Sequence, residues 1–452
     1  MCSPQSGTSR STSAGLLILP LVAAATLVAA QPAAVIEGTP IDVSRYTISL
    51  DLDVEHGAIS GTEFLELTMR APGAAIVLNS GALVVDSVRK FGASGERVPF
   101  RQDAQRLIVT LPAPAREGDP QRLQIEYHGM PRTGLTLLAG SAQAYTTFST
   151  SHWMPAVDAP ADRAALNLEV SMPAGWRAAG SGLEVERRTR DGRTTYRWHH
   201  ERETSSFLYG FVAGRLAEAS DRHGSVTLNY LGGPFSPGEL QRIFRDTPGM
   251  MAFFEERAGV PYPGDSYTQT LVATSGGQEL SGLSHMSEAY GRAVLADATA
   301  TSLIAHELAH QWWGDLVTNR DWTHFWLNEG FATFMAAAYK ERTRGRDAYL
   351  ADVEDWRRRV EQLRTSGRDK PLVFPEWNRP SADDRAVVYQ KGALALHELR
   401  GQMGDAPFWA ALRDYTRAHA GQTVRSADLQ RSFEASSGRD LRAFFEEWVY
   451  LR

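Results

Sequence analysis

The chain predicts an α+β protein of two unlike halves, an antiparallel β domain followed by an α-rich domain. Three observations carry this expectation. Across residues 36–232 short runs of apolar residues alternate with polar ones at a period of two, between Gly, Pro and Asp. From Pro237 onward the apolar positions recur at helical spacing instead. Within that second half, two of the histidines and both glutamates of residues 303–334 are arranged for one helix face and a neighbouring helix. A chain of 452 residues, 43% of them hydrophobic, has enough apolar surface for two or three cores. Its net charge of -6 is mild and dispersed, which leaves no basic stripe for nucleic acid.

In chain order, residues 14–30 form an apolar run after Arg10 that ends in Val28, Ala29 and Ala30. That pattern predicts a signal peptide over residues 1–30 and an exported protein, periplasmic or extracellular, with an uncleaved membrane anchor as the alternative. Cys2 precedes the run and is the single cysteine, so a chain cleaved after Ala30 has neither disulfides nor thiolate chemistry. The β domain is expected over residues 31–232. There Tyr46, Ile48, Leu50 and Leu52 alternate with polar residues, Phe64, Leu65 and Leu67 follow a turn at 56–61, and similar runs recur at 107–111, 123–127, 166–170 and 225–230. Residues 232–237 read as a linker into a second domain, 233–452. Its expected helices are 239–258, 347–362, 386–401, 406–418, 426–436 and 441–449.

The chemistry concentrates in His306, Glu307 and His310, followed after eighteen intervening residues by Glu329. At ~100° per residue the two histidines lie ~40° apart on one helix face, so both imidazoles reach one cation. Glu329 sits in a second helical pattern that opens at Asn328 and ends near Gly345. Two imidazoles and a carboxylate leave one tetrahedral position for water, the donor set of a single catalytic Zn2+. Glu307 points to the side of the histidines and is placed as the base that takes a proton from water. Asp315 and Asp321 are candidates to orient a ligand histidine. Trp312, Trp313, Trp322 and Trp326 read as packing around the metal helices.

The segments HELAHQWWGD and WLNEGFATF resemble the zinc aminopeptidases that include alanyl aminopeptidase and leukotriene hydrolase, a family of gluzincin metallopeptidases. The resemblance implies a thermolysin-like catalytic domain, peptide substrates, and removal of one residue at a time from the amino terminus. SGGQELSGL resembles the family's Gly-x-Met-Glu-Asn segment, with Gln278 in place of the methionine and Leu280 in place of the asparagine. By that likeness Glu279 holds the substrate ammonium, while Gly276 and Gly277 let a strand edge approach the peptide backbone. VVYQKG resembles the family's Tyr-x-Lys-Gly segment, through Tyr389, Lys391 and Gly392. Tyr389 is thereby implied as the hydroxyl that stabilises the oxyanion.

The family's second ammonium ligand, from the β domain, falls near Thr147 and Ser149, where no carboxylate stands. This keeps open an endopeptidase or short-peptide trimming enzyme on the same zinc scaffold. A noncatalytic peptide-binding protein and a leukotriene-type epoxide hydrolase are remoter alternatives. Pro155, Asp158 and Pro160 match a Pro-rich family segment and read as turn chemistry. SGRDLRAFFEEWVY resembles the end of the family's catalytic domain. The likeness therefore covers the family's first two domains without its helical third domain, and implies a more open cleft. No membrane partner is implied beyond the possible anchor, and nothing in the sequence signals an oligomeric state or a preferred side chain.

Overall fold

The structure, a computed structural model, describes residues 40–91, 95–103, 105–274, 276–375, 377 and 380–451. The expected signal segment, 1–30, lies outside the described residues. The first core is built on a seven-stranded sheet. Its strands run in the spatial order Leu183–Arg190, Arg193–Ser205, Arg163–Pro173, Ile41–Asp53, Ala58–Met69, Pro120–Gly129 and Val84–Lys90. Tyr46, Ile48, Leu50 and Leu52 all point into the core, as their alternation requires. The sheet is not wholly antiparallel: Ile41–Asp53 runs parallel to Arg163–Pro173, with Arg45 opposite Ala165. Alternation reports which face of a strand is buried and carries nothing about direction.

A four-stranded sheet, ordered Arg177–Gly180, Phe211–Gly214, Gln143–Thr146 and Leu135–Leu138, carries the β domain toward the cleft. The next sheet has five strands, in the order Ala217–His223, Val226–Gly232, Ser266–Val272, Leu283–Ser287 and Gly277–Leu280. Thr227 pairs with Ser266 in a parallel ladder, so the boundary expected at 232 falls inside a hydrogen-bonded sheet. The change of composition there is real, because Ser236 caps the helix Pro237–Ile243 in a reciprocal box with Glu239. The structural unit nevertheless begins upstream, near Ala217, where the strand pattern looks the same as in the domain before it.

Helix 239–258 is divided into Pro237–Ile243 and Thr247–Ala258, the second opened by a proline and ended by Gly259 at φ 65°. The remaining helices pack as one apolar cluster in which Ile304, Leu308, Trp312, Phe331 and Phe334 are buried. Three of the four tryptophans near the metal helices are fully buried and have their indole N–H groups bonded. Trp312 donates to the Val260 carbonyl at 3.0 Å, Trp313 to Thr416 Oγ1 at 3.1 Å and Trp326 to Ser426 Oγ at 2.8 Å. Truncating a buried ring of this size costs about 3–5 kcal/mol, so these contacts hold the helices rigidly against one another. Among the described residues no helix is long and apolar enough to cross a membrane.

Candidate metal centre and substrate cleft

Helices Ser302–Ala309 and Trp326–Arg344 pack so that His306, His310 and Glu329 converge. His306 Nε2 lies 3.1 Å from Glu329 Oε2, His310 Nε2 lies 3.5 Å from the same oxygen, and the two Nε2 atoms are 3.0 Å apart. His310 Nδ1 is 3.3 Å from the Trp313 carbonyl, to which its N–H donates, and this leaves Nε2 facing inward, as the nitrogen that would bind a metal once its proton is displaced. The backbone therefore orients this ligand. Asp315 donates only its own N–H to the His310 carbonyl, and both its carboxylate oxygens are buried with no partner among the described residues. Asp321 accepts from the Thr323 N–H at 3.1 Å and caps the short turn there.

The electrostatics suit a cation. Burial would raise Glu329, but hydrogen bonds from both histidines outweigh it and hold the carboxyl down to about 2. Burial would lower His310, but the Glu329 bond and charge carry it up to about 10. The metal-free triad thus keeps a proton on His310 where a dication would sit, and two nitrogens with one oxygen form a donor set suited to zinc. Zinc uptake near neutral pH is expected to release about one proton per ion, with apparent affinity falling about tenfold for each pH unit below about 10. Calorimetry in buffers of different ionisation enthalpy measures that release, and a pH-independent affinity would contradict it.

Glu307 lies beside the triad with Oε2 buried and without a partner among the described residues. Burial, reinforced by Glu279 and Glu329, pushes its carboxyl well above the usual range, while His310 opposes the shift. A Cβ on Gly277 would come within 2.0 Å of Glu307 Oε1, so the missing side chain there makes room for this carboxylate. Gly277→Ala is expected to displace Glu307 and lower kcat by about 10²-fold while zinc content is retained. Turnover matching that of the unaltered protein would show that Glu307 is not held by this contact.

Gly277–Leu280 is the edge strand of the five-stranded sheet, antiparallel to Leu283–Ser287, and Gly276 immediately precedes it. Glu279 on this strand is 2% exposed and fully tethered. Its Oε1 accepts from Asn328 Nδ2 at 3.1 Å and its Oε2 from Gln278 Nε2 at 2.9 Å. Gln278 Oε1 in turn accepts from the Phe148 N–H at 2.8 Å, which links the β domain to the site. Burial, with Glu329 adding to it, pushes Glu279 up to about 7. Glu279, Glu307 and His310 each offer a ligand atom within 4.8 Å of the others.

Tyr389 sits in a π-helical turn, Val387–Lys391, between Ala382–Ala386 and Gly392–Met403. It is brought to the metal ligands by a backbone contact: a Cβ on Gly330 would lie 3.0 Å from the Gly392 Cα. The Tyr389 ring stacks on His306, with centroids 5.8 Å apart and planes 7° from parallel. Burial and the neighbouring Glu329 push its phenol well above the usual value, so it stays protonated as a donor. Lys391 turns away and binds Asp369 Oδ1 at 2.7 Å. The cleft around these groups is walled by Phe148, Phe207, Trp322, Phe325 and Trp377, and Ser149, Asp158 and Arg385 also line it. Asp158, read from sequence as turn chemistry, accepts from Ser151 Oγ at 2.6 Å, and burial raises its carboxyl to about 6.

His306, Glu307, His310, Glu329, Tyr389, Gly277 and Glu279 line this cleft, and Gly276 immediately precedes the strand that edges it. Asn328, Gln278 and Arg385 were not anticipated. Asn328 reads as a helix opener, yet the helix starts at Trp326 and the side chain holds Glu279.

Comparison with known proteins follows the same lines. The profile for the Peptidase M1 N-terminal domain matches residues 43–208, and that for the Peptidase family M1 domain matches residues 244–448. The probable aminopeptidase 2 of Sulfurisphaera tokodaii is 26% identical across 90% of this chain and 53% of its own length. The leucyl aminopeptidase of Saccharolobus solfataricus is 25% identical across 90% and 53%. The chain spans about half the length of these curated relatives. Among solved structures, the M1 zinc metallopeptidase from Deinococcus radiodurans is 28% identical, with 91% of this chain and 93% of that one covered at a TM-score of 0.76. A mutant of that enzyme bound to the substrate Tyr-Ser-Ala is 29% identical, with 91% and 94% covered at 0.77.

Proposed function

The chain belongs to peptidase family M1, and on that basis we propose that it is a zinc-dependent aminopeptidase that hydrolyses the amino-terminal bond of peptides. The carrying observation is Glu279, a buried carboxylate tethered within 4.8 Å of ligand atoms on Glu307 and His310. One residue of extended chain spans ~3.3–3.6 Å, so a fixed anion at this separation selects a substrate whose free ammonium lies one residue from the reacting bond.

Held by His306, His310 and Glu329, zinc would supply Lewis acidity toward the scissile carbonyl and the means to ionise water near neutral pH. Glu307 takes the proton from the attacking water through its unpartnered Oε2 and returns it to the leaving amine. The Tyr389 phenol donates to the oxygen on which negative charge develops. The open edge of Gly277–Leu280 offers backbone groups to an extended peptide.

Glu279→Ala is expected to lower kcat/KM for free-amino peptides by about 10- to 100-fold, chiefly through KM. Equal losses on free and N-acetylated peptides would remove the ammonium role. Cleavage within a chain is the second reading, favoured by the fact that both Glu279 oxygens already accept hydrogen bonds. We also infer export, from the apolar segment 14–30 alone. Recovery of a chain beginning at Gln31 outside the cytoplasm would support it, and retention of the full-length chain inside would contradict it.

A further inference from the structure

Arg385 lines the cleft that contains His306, Glu307 and Glu329, and its guanidinium makes no hydrogen bond or ion pair among the described residues. Its two acidic neighbours in sequence are engaged elsewhere. Asp383 binds Arg359 at 2.6 Å and Arg368 at 2.9 Å, and Asp384 binds Lys370 at 2.7 Å and caps the Ser381 N–H at 2.8 Å. Of the carboxylates on the cleft wall, Glu329 is engaged by the two histidines, Glu279 by Asn328 and Gln278, and Asp158 by Ser151, while Glu307, with its Oε2 unpartnered, forms no ion pair with Arg385 among the described residues. Among the described residues Arg385 is therefore a half-buried positive charge with no ion-pair partner, in a cleft lined largely by aromatic rings and acidic side chains.

Partial removal of a guanidinium from water without a partner is unfavourable, and its planar fork of donors matches a carboxylate bidentately. We propose that Arg385 is a specificity-determining residue that binds a carboxylate of the peptide in this cleft. The inference rests on the aminopeptidase reading for the identity of the ligand. Two sources supply that group: the free C-terminus of a short peptide, or an acidic side chain.

The test uses zinc-loaded full-length protein and tripeptides of one neutral sequence, prepared as free acid and as C-terminal amide. A parallel amidated set carries Glu or Gln at each position in turn. The expected result is a 10- to 100-fold preference in kcat/KM, carried by KM, for the member bearing the recognised carboxylate. A preference for acid over amide assigns the C-terminus, and a preference for Glu over Gln assigns a side chain. Arg385→Met, which keeps the apolar stem, should collapse the preference, and Arg385→Lys should restore part of it. Absence of a preference in both sets, or one that survives Arg385→Met, overturns the proposal. Calorimetric binding of the same peptides to zinc-loaded Glu307→Ala, with and without Arg385→Met, repeats the comparison without turnover. A protein that binds carboxylate peptides through Arg385 but hydrolyses none would contradict the aminopeptidase reading and leave this inference standing.

Discussion

Replacement of Glu307 by alanine is expected to lower kcat by about 10²- to 10⁴-fold, the range for loss of a positioned general base, while the protein still carries one zinc per chain. The two halves of this expectation have separate structural causes. The proposed metal donors are His306, His310 and Glu329, whose mutual contacts do not involve Glu307. Glu307 instead has one oxygen against Gly277 and the other without a partner among the described residues, so its removal vacates the position proposed to accept the water proton and leaves the triad intact. Metal analysis by mass spectrometry alongside peptide turnover separates the two. Loss of zinc together with activity would make Glu307 a structural member of the metal site, and retention of substantial turnover would remove its role as base.

Tyr389→Phe is the second large effect, an expected loss of about 10²- to 10³-fold in kcat with KM little changed, as for removal of one oxyanion donor. The substitution deletes only the hydroxyl. The ring stack on His306 and the Gly330–Gly392 contact remain, so the melting temperature should stay close to that of the unaltered protein. The donor is available because burial and Glu329 hold the phenol protonated. A loss that appears in KM or in melting temperature and spares kcat would assign the hydroxyl to packing instead.

The convergence of the proposed metal donors was legible in the sequence because it depends on local geometry. His306 and His310 share a face by helix periodicity, and Glu329 lies in the next strongly periodic segment. Tyr389 and Glu279 were found through resemblance in segment order, without a geometric reason for their proximity. That reason is tertiary: the Gly330–Gly392 crossing for Tyr389, and the edge position of Gly277–Leu280 for Glu279. Gln278 stood out as a departure from the family pattern, while its bridge from Phe148 to Glu279 depends on a contact between residues far apart in the chain. Arg385 gave no signal, since an arginine beside two aspartates reads as a solvated helix face. Its significance appears only once Asp383 and Asp384 are seen bound to other cations.

The same distinction holds for the fold. Strand alternation placed the buried faces of Ile41–Asp53 and its neighbours. The parallel pairing of that strand with Arg163–Pro173 and the ladder across residue 232 are long-range hydrogen-bonding choices that alternation does not encode. The π-helical turn at Val387–Lys391 likewise keeps a helical apolar pattern while shifting which side chain faces the cleft.

The most direct measurement follows the products of zinc-loaded protein on short peptides, each prepared with a free and with an acetylated amino terminus, by mass spectrometry. Stepwise loss of single residues from the free peptides, with the acetylated ones untouched, is the expected result. Internal cleavage of both forms at similar rates would contradict the aminopeptidase assignment and leave a zinc endopeptidase in its place.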